Sequence, residues 1–280
     1  MHIIDGRKIA SDIISQLKTE VTSLAFQPVF CDILVGDNAV SVQYVNLKAK
    51  KATECGIKFL RADFSKEITT ENLVLEIQKL NQVKNMCGLI VQLPLPKKIE
   101  ARVASDIIDP RVDVDCIGQA RRNSFYEGDF EIIPPTAAAV VNILDGLKLD
   151  LRKKNILIMG QGELVGRPLS YLLEHRGLNV NTADKFTANT GELLKKADII
   201  ISAAGKPKLI TGDKIQPGAV IIDAGTAEDG GEIVGDVDFE SVKNVASAIS
   251  PVPGGVGPVT VAMLLRNVIN VAKKKQIIRQ

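Results

Sequence analysis

The sequence predicts an α/β protein of two domains, and three observations carry the prediction. At 280 residues the chain exceeds the usual size of one domain. From residue 151 onward, short β-branched runs alternate with helical stretches in the rhythm of βαβ units. The first half repeats that alternation less regularly.

Taken in order, a helical pattern over residues 7–25 leads to the apolar strand "FCDILVG" (30–36). A long helix follows from Ser41 to Glu54, with Gly56 just beyond its end, where a left-handed residue closes helices. "IKFLRADF" reads as a strand and "TTENLVLEIQKLNQ" as a helix that Thr69 or Thr70 caps through its hydroxyl. The strand "CGLIVQL" then ends at "PLP", and "PPTAAAVVNILDGL" (134–147) reads as a helix connecting the halves. In the second half "NILIM" (155–159) is a buried strand, "GRPLSYLLEHRG" a helix closed by Gly177, "LNVNTAD" a second strand and "TGELLKKA" a second helix. "DIIISAAG" (198–205) and "AVIIDAG" (219–225) are the third and fourth strands. Uninterrupted apolar runs of this kind suit a parallel sheet covered on both faces. The last helix, "PVTVAMLLRNVINVAKKK", is expected to return to the first domain.

Between the strand "NILIM" and its helix lie Gly160, Gly162 and Gly166 in the spacing G-x-G-x-x-x-G. A glycine turn is a weak signal alone, but a strand before it and a helix after it make the second domain Rossmann-like. A pyrophosphate can then approach the backbone at the helix start.

Composition narrows the partners. A chain 45% hydrophobic and 24% charged is globular, and a formal charge of only +2 leaves no broad basic face for nucleic acid. Small molecules are the expected partners. No run approaches the roughly 18 apolar residues of a membrane span, and "MHIIDGRKIASDIISQLK" lacks a signal-peptide core, so a cytoplasmic protein is expected. Cys31, Cys55, Cys87 and Cys116 are widely spaced and only His2 and His175 accompany them, so they read as small buried residues and no metal site is expected.

Four stretches hold residues suited to chemistry. In "SVQYVNLKAKKATECG", Tyr44 and Lys48 are four apart and share a helix face. Lys48 belongs either to the solvated side of a lysine-rich helix or, under apolar cover or beside Lys50 or Lys51, to a site where an amine exchanges protons near neutrality. Gln92 sits near the end of an apolar strand, where open α/β sheets place ligand contacts; a strand-end glutamine satisfied by loop backbone is the alternative. Asp113 and Asp115 are two apart, able to grip a donor-rich heterocycle or simply to shape a turn. "SPVPGGVGPVT" (250–260) puts three prolines and three glycines before a helix, so Pro253, Gly254 and Gly255 offer backbone for close approach to a ligand or form a plain connection.

Together and in this order, "VGDNAVSVQYVNLKAKKATECGIK", "GLIVQLPLP", "DVD", "MGQGELVGRP", "ADIIISAAGKP", "GAVIIDAG", "GDVDF" and "ISPVPGGVGPVT" resemble the bifunctional methylenetetrahydrofolate dehydrogenase/cyclohydrolase family. The resemblance spans residues 5 to 270. It implies hydride transfer from 5,10-methylenetetrahydrofolate to NAD or NADP, then hydrolysis of the methenyl cation to 10-formyltetrahydrofolate, without a metal. It implies that Lys48 carries the proton of the hydrolytic step, Gln92 tunes it, Tyr44 covers the folate rings and Asp115 anchors the pterin. Substrate contacts at Pro253, Gly254 and Gly255, and cofactor contacts at Gly160, Gln161, Gly162, Gly166, Asp184, Lys185 and Thr226, follow from it too. So do a folate-binding domain of residues 1–138 and 256–280, a cofactor domain of 139–255, an active site in the cleft between them, and a homodimer paired through the cofactor domain.

The chain departs from the family's pattern in four places. After "DVD" it has "CIGQARRN" (116–123) where the family usually continues G-F/L-H-P, and "PPTAAA" where P-C-T-P is usual. Gln161 and Gly162 replace the Arg-Ser of NADP-using members, and Asp184 and Lys185 replace His-Ser. Asp184 is placed to accept from an adenosine ribose, which favours NAD, whereas Lys185 suits a phosphate. A dehydrogenase of the same fold acting on another small substrate, such as shikimate, and a catalytically silent nucleotide-binding module are the alternatives.

Overall fold

The computed structural model describes residues 1–229 and 232–278. In chain order the elements are β1 (His2–Ile3), α1 (Gly6–Thr22), β2 (Val29–Val35), α2 (Ala39–Glu54), β3 (Lys58–Phe64), α3 (Thr70–Asn81), β4 (Met86–Val91), α4 (Ala101–Asp106), α5 (Gln119–Tyr126), α6 (Pro135–Gly146), β5 (Ile156–Met159) and α7 (Gly166–His175). They continue with β6 (Val180–Ala183), α8 (Thr190–Lys196), β7 (Ile199–Ser202), β8 (Val220–Asp223), β9 (Ala227–Asp229), β10 (Glu232–Val234), α9 (Phe239–Val242), β11 (Ala248–Ile249) and α10 (Val256–Ile278). The chain divides into two compact units, one of residues 1–10 and 136–260, the other of residues 11–135 and 261–280.

In the unit of residues 11–135 and 261–280, β2 is the central strand of a three-stranded parallel sheet ordered β3-β2-β4. All seven residues of β2 are buried, which explains why six of them are apolar. α2 starts where Asn38 accepts from the Ser41 N–H at 2.9 Å. Thr69 caps α3 through the Asn72 N–H at 3.3 Å, one of the two hydroxyls expected for that role. α10 is tied into this unit by Asn267, whose side-chain N–H groups donate to the carbonyls of Val114 (2.9 Å) and Ile133 (2.7 Å).

The other unit is built on a six-stranded parallel sheet ordered β1-β11-β8-β7-β5-β6. Leu157, Ile200, Ile221 and Ile249 stand side by side across four strands and are buried in one apolar cluster. Strand order reverses direction at β5, which is flanked by β6 and β7, and such reversals open the crevice in which α/β sheets hold ligands. The glycine turn leaves β5 at that point. Gly177, at φ 72°, closes α7 as expected.

The structure differs from the sequence reading at the N-terminus. His2 and Ile3 pair with Ala248 and Ile249 as an edge strand of the six-stranded sheet, so the first ten residues group with the second half of the chain and not with the first. A strand of two residues is too short to leave a periodicity in sequence. The same is true of β11, and the short helices α4 and α5 also lie in stretches without a marked apolar period.

Candidate active site

Lys48 is on the third turn of α2, and its helix face is turned inward. The residue is 5% exposed, which overturns the option of a solvated lysine. Its Nζ donates to Gln92 Oε1 at 2.6 Å and lies 2.7 Å from Asp32 Oδ2. Gln92 follows directly on β4 and is held in turn by its Nε2, which donates to the Leu93 carbonyl at 2.6 Å. The neighbour of Lys48 is thus a carboxylate and not a second cation. Lys51 instead pairs with Glu54 at 2.8 Å, and Lys50 is exposed.

Asp32 escaped the sequence reading. It is the one acid in the strand "VFCDILV" and is fully buried. Its signal was present, because a carboxylate persists in a closed apolar strand only where a charge or hydrogen-bond partner meets it. Burial raises its pKa to about 6, against the lowering influence of Lys48, while Asp115 adds to the rise.

The two acids of "DVD" separate in role. Asp113 is fully buried and accepts from the N–H of Gly118 at 2.8 Å and of Ile117 at 3.3 Å, so it shapes the turn. Burial pushes it up to about 7. Asp115 is half-buried; burial raises its pKa and the Lys48 charge lowers it, so Asp115 belongs to the Lys48 cluster. Tyr44, one turn before Lys48, is half-buried and its phenol is also raised by burial. Tyr44, Lys48, Gln92, Asp115 and Asp32 therefore form one constellation in a single unit.

The segment 116–123 keeps a folded path. Cys116 takes the left-handed conformation (φ 55°) that explains the glycine usual at this place, and its thiol lies against the Ile132 carbonyl at 3.6 Å. Arg121 on α5 is buried and pairs with Asp129 at 2.9 Å. All four cysteines are buried, as expected, and none of them forms a disulfide.

In the other unit, Gly160 (φ 93°) and Gly166 are required by close approach. A Cβ at Gly160 stands 2.4 Å from the Ala203 carbonyl oxygen, and one at Gly166 stands 1.9 Å from the carbonyl oxygen of Gly160. Gly162 faces open space. Gln161 turns inward, its Nε2 donating to the Gly160 carbonyl at 3.1 Å. This is the arrangement a pyrophosphate needs, with backbone exposed at Gly162 and the start of α7 beside it. Asp184, just after β6, accepts at Oδ1 from the Phe186 N–H (2.9 Å) and the Thr187 hydroxyl (3.1 Å). Lys185 Nζ lies over the Phe186 ring, 4.9 Å from its centre. Thr226 is exposed after β8, its carbonyl near Gly205.

Sequence reasoning also missed what holds these loops. Asp236 is fully buried and accepts from the Ser202 hydroxyl (2.6 Å) and the N–H groups of Ala204 and Lys206 (both 2.7 Å), fixing the turn after β7. Asp223 accepts from the N–H groups of Gly225, Asp236 and Val237 at 2.9 to 3.2 Å. Pro253, Gly254 (φ 108°) and Gly255 form a turn in which the Gly255 N–H donates to the Pro251 carbonyl at 2.8 Å. The turn packs against Gly6, where a Cβ stands 1.7 Å from the Gly255 oxygen.

Comparison with known proteins places both halves. Residues 4–115 match the tetrahydrofolate dehydrogenase/cyclohydrolase catalytic domain, and residues 134–276 match the NAD(P)-binding domain of the same family. The chain belongs to the tetrahydrofolate dehydrogenase/cyclohydrolase family. Among relatives, it is 40% identical to the bifunctional protein FolD of Hydrogenobaculum sp. (strain Y04AAS1), over 98% of this chain and 100% of that one. The crystal structure of FolD from Campylobacter jejuni superposes with a TM-score of 0.92 at 36% identity, covering 98% of this chain and 99% of that chain. FolD from Trypanosoma brucei, solved with NADP cofactor and inhibitor, gives 0.92 at 34% identity, covering 98% and 97%. Strands β5, β6, β7, β8 and β11 with the glycine turn fall in the NAD(P)-binding part, and β2, β3 and β4 with Lys48 fall in the catalytic part.

Proposed function

We propose that the chain oxidises 5,10-methylenetetrahydrofolate to the 5,10-methenyl cation with NAD(P)+ and hydrolyses that cation to 10-formyltetrahydrofolate. The observation that carries this reading is the buried amine of Lys48, held between Gln92 and Asp32 and within reach of the charge of Asp115. NAD(P)+, when bound at the glycine turn, would supply the hydride acceptor of the first reaction. In the second, water adds to the methenyl carbon and gives up one proton, the hydroxyl so formed gives up its second as the carbon–oxygen double bond forms and the bond from that carbon to N5 breaks, and N5 takes one of the two, so that one proton in all passes to solvent. Lys48 is the carrier of these protons, and a group of this kind contributes about 100- to 10,000-fold. Gln92 fixes the amine, the Tyr44 ring covers the folate rings, and Asp115 accepts from the pterin's N–H donors. Both reactions demand orientation, which rigid helix and strand ends supply.

For the cofactor, Gly162 and the start of α7 receive the pyrophosphate and Asp184 accepts from the adenosine ribose. Because Lys185 lies over Phe186, a 2′-phosphate finds no ready cation there, and the enzyme discriminates for NADP less sharply than relatives with Arg-Ser after the first glycine.

A spectrophotometric assay with methylenetetrahydrofolate and each nicotinamide cofactor tests the reading. Turnover to the methenyl compound and on to the formyl compound is expected, with Lys48→Met losing the second conversion. No turnover of the folate, or hydrolysis substantially retained in Lys48→Met, overturns it.

A further inference from the structure

Asp32 touches Lys48 but has been given no role in the reaction so far, yet its surroundings are hard to explain as packing. Its neighbours along β2 are Cys31 and Ile33, its partners on the adjoining strands are Arg61 of β3 and Ile90 of β4, and the strand is buried throughout. Arg61 does not take the charge: its guanidinium is engaged with Asp63 at 2.8 Å and with Asn46 at 2.9 Å. No backbone N–H serves Asp32 either, and among the described residues neither of its carboxylate oxygens accepts a hydrogen bond of good geometry. Asp113, also fully buried, shows the contrast, since two backbone N–H groups satisfy it. What meets Asp32 is Lys48, at 2.7 Å. A buried charge with a single partner adds little to a fold that an apolar residue would serve as well, and such groups gather where chemistry needs them.

We propose that Asp32 is a positioning residue for Lys48: its carboxylate and the Gln92 amide oxygen together fix the amine in place for the hydrolytic step. Gln92 takes one N–H of the amine and Asp32 holds its charge, which leaves N–H bonds for water or substrate. The proposal rests on the proton-carrying role read for Lys48. The charged and titratable groups around the pair are Tyr44 of α2, Arg61 of β3, Asp115 from the turn before α5, and Cys31, whose thiol is pushed up to about 12 by burial and by Asp32 itself. Asp32 titrates at about 6, so the ion pair is complete at neutral pH and is lost as pH falls through that value.

The test measures kcat for both reactions on the full-length enzyme, at saturating folate, from about pH 5 to about pH 8.5. Saturation confines any effect of Asp115 on folate binding to KM. The wild-type cyclohydrolase kcat is expected to fall through about pH 6. In Asp32→Asn that acid limb disappears, and near neutrality cyclohydrolase kcat drops at least about tenfold more than dehydrogenase kcat. Asp32→Val, which matches the apolar strand, reproduces the ratio and guards against misfolding caused by the amide. Equal losses in the two activities, an acid limb that survives in the variants, or a wild-type hydrolytic kcat without that limb overturns the proposal. Lys48→Met separates the two levels. Hydrolysis retained in that variant removes the reading of Lys48 itself, whereas its loss, with the Asp32 variants behaving as wild type, removes only the role of Asp32.

Discussion

In the cofactor site proposed above, the choice between NAD and NADP turns on a few atoms after β6. Asp184 uses Oδ1 for the local turn with Phe186 and Thr187, which presents the rest of the carboxylate to a ribose hydroxyl. The same negative charge repels a 2′-phosphate, and Lys185, drawn over Phe186, offers poor compensation. Steady-state kcat/KM with the two cofactors is therefore expected to differ by less than about a thousandfold in favour of NADP, a gap of ~4 kcal/mol. Asp184→Ser is expected to shift the ratio towards NADP by about tenfold. A wild-type preference for NADP of a thousandfold or more, or a ratio that Asp184→Ser leaves unmoved, contradicts this account. Such residues were legible because they sit at fixed distances from a glycine turn. Tyr44, Lys48 and Gln92 were legible through helix spacing and strand ends, but the burial of Lys48 was not, since an inward and an outward lysine read alike. Asp32 was overlooked because a single acid among six apolar residues looks like noise until its partner on α2 is seen.

The β5-turn-α7 element shows how a spacing is enforced. Gly160 and Gly166 are locked together, the Cβ position of Gly166 lying 1.9 Å from the Gly160 oxygen, while Gly162 looks into open space. Two of the three glycines thus serve the fold, and the third is left open for the cofactor in the reading proposed above. Gly166→Ala is expected to force the turn open, lowering the thermal midpoint by several degrees, about 1 to 3 kcal/mol, and weakening cofactor binding with it. Gly162→Ala is expected to leave the apo midpoint within about 2 °C and to weaken cofactor binding alone. Calorimetry with and without NAD or NADP reads both; equal loss of apo stability in the two variants contradicts the division. The longer elements were legible for the same local reasons. Apolar runs became β5, β7 and β8, and Thr69 and Gly177 mark the ends that their capping chemistry predicts. β1 and β11 were not legible, because two-residue strands exist only through pairing with distant partners.

At the scale of the whole molecule, the buried carboxylates set how stability depends on pH. Burial raises Asp32 to about 6, Asp113 to about 7 and Asp223 to about 6, whereas in the unfolded chain an aspartate titrates near pH ~4. Between those limits the folded protein binds more protons than the unfolded chain, so stability falls as pH rises through the interval. Glu20, Asp109 and Asp129 work in the opposite sense. Their folded pKa values are held down by Lys273 and Arg266, by Arg111 and by Arg121, despite some burial, and they lose their contribution only as pH falls below the ordinary carboxylate range. These three are also partly exposed, so solvent screens them more than it screens the buried acids. The balance places maximum stability at mildly acidic pH. The urea midpoint is expected to be higher at about pH 5.5 than at about pH 8, and Asp113→Asn, uncharged at both, is expected to narrow the difference. A midpoint that rises steadily from pH 5.5 to 8, or a difference that Asp113→Asn leaves intact, shows that the buried acids do not govern the profile.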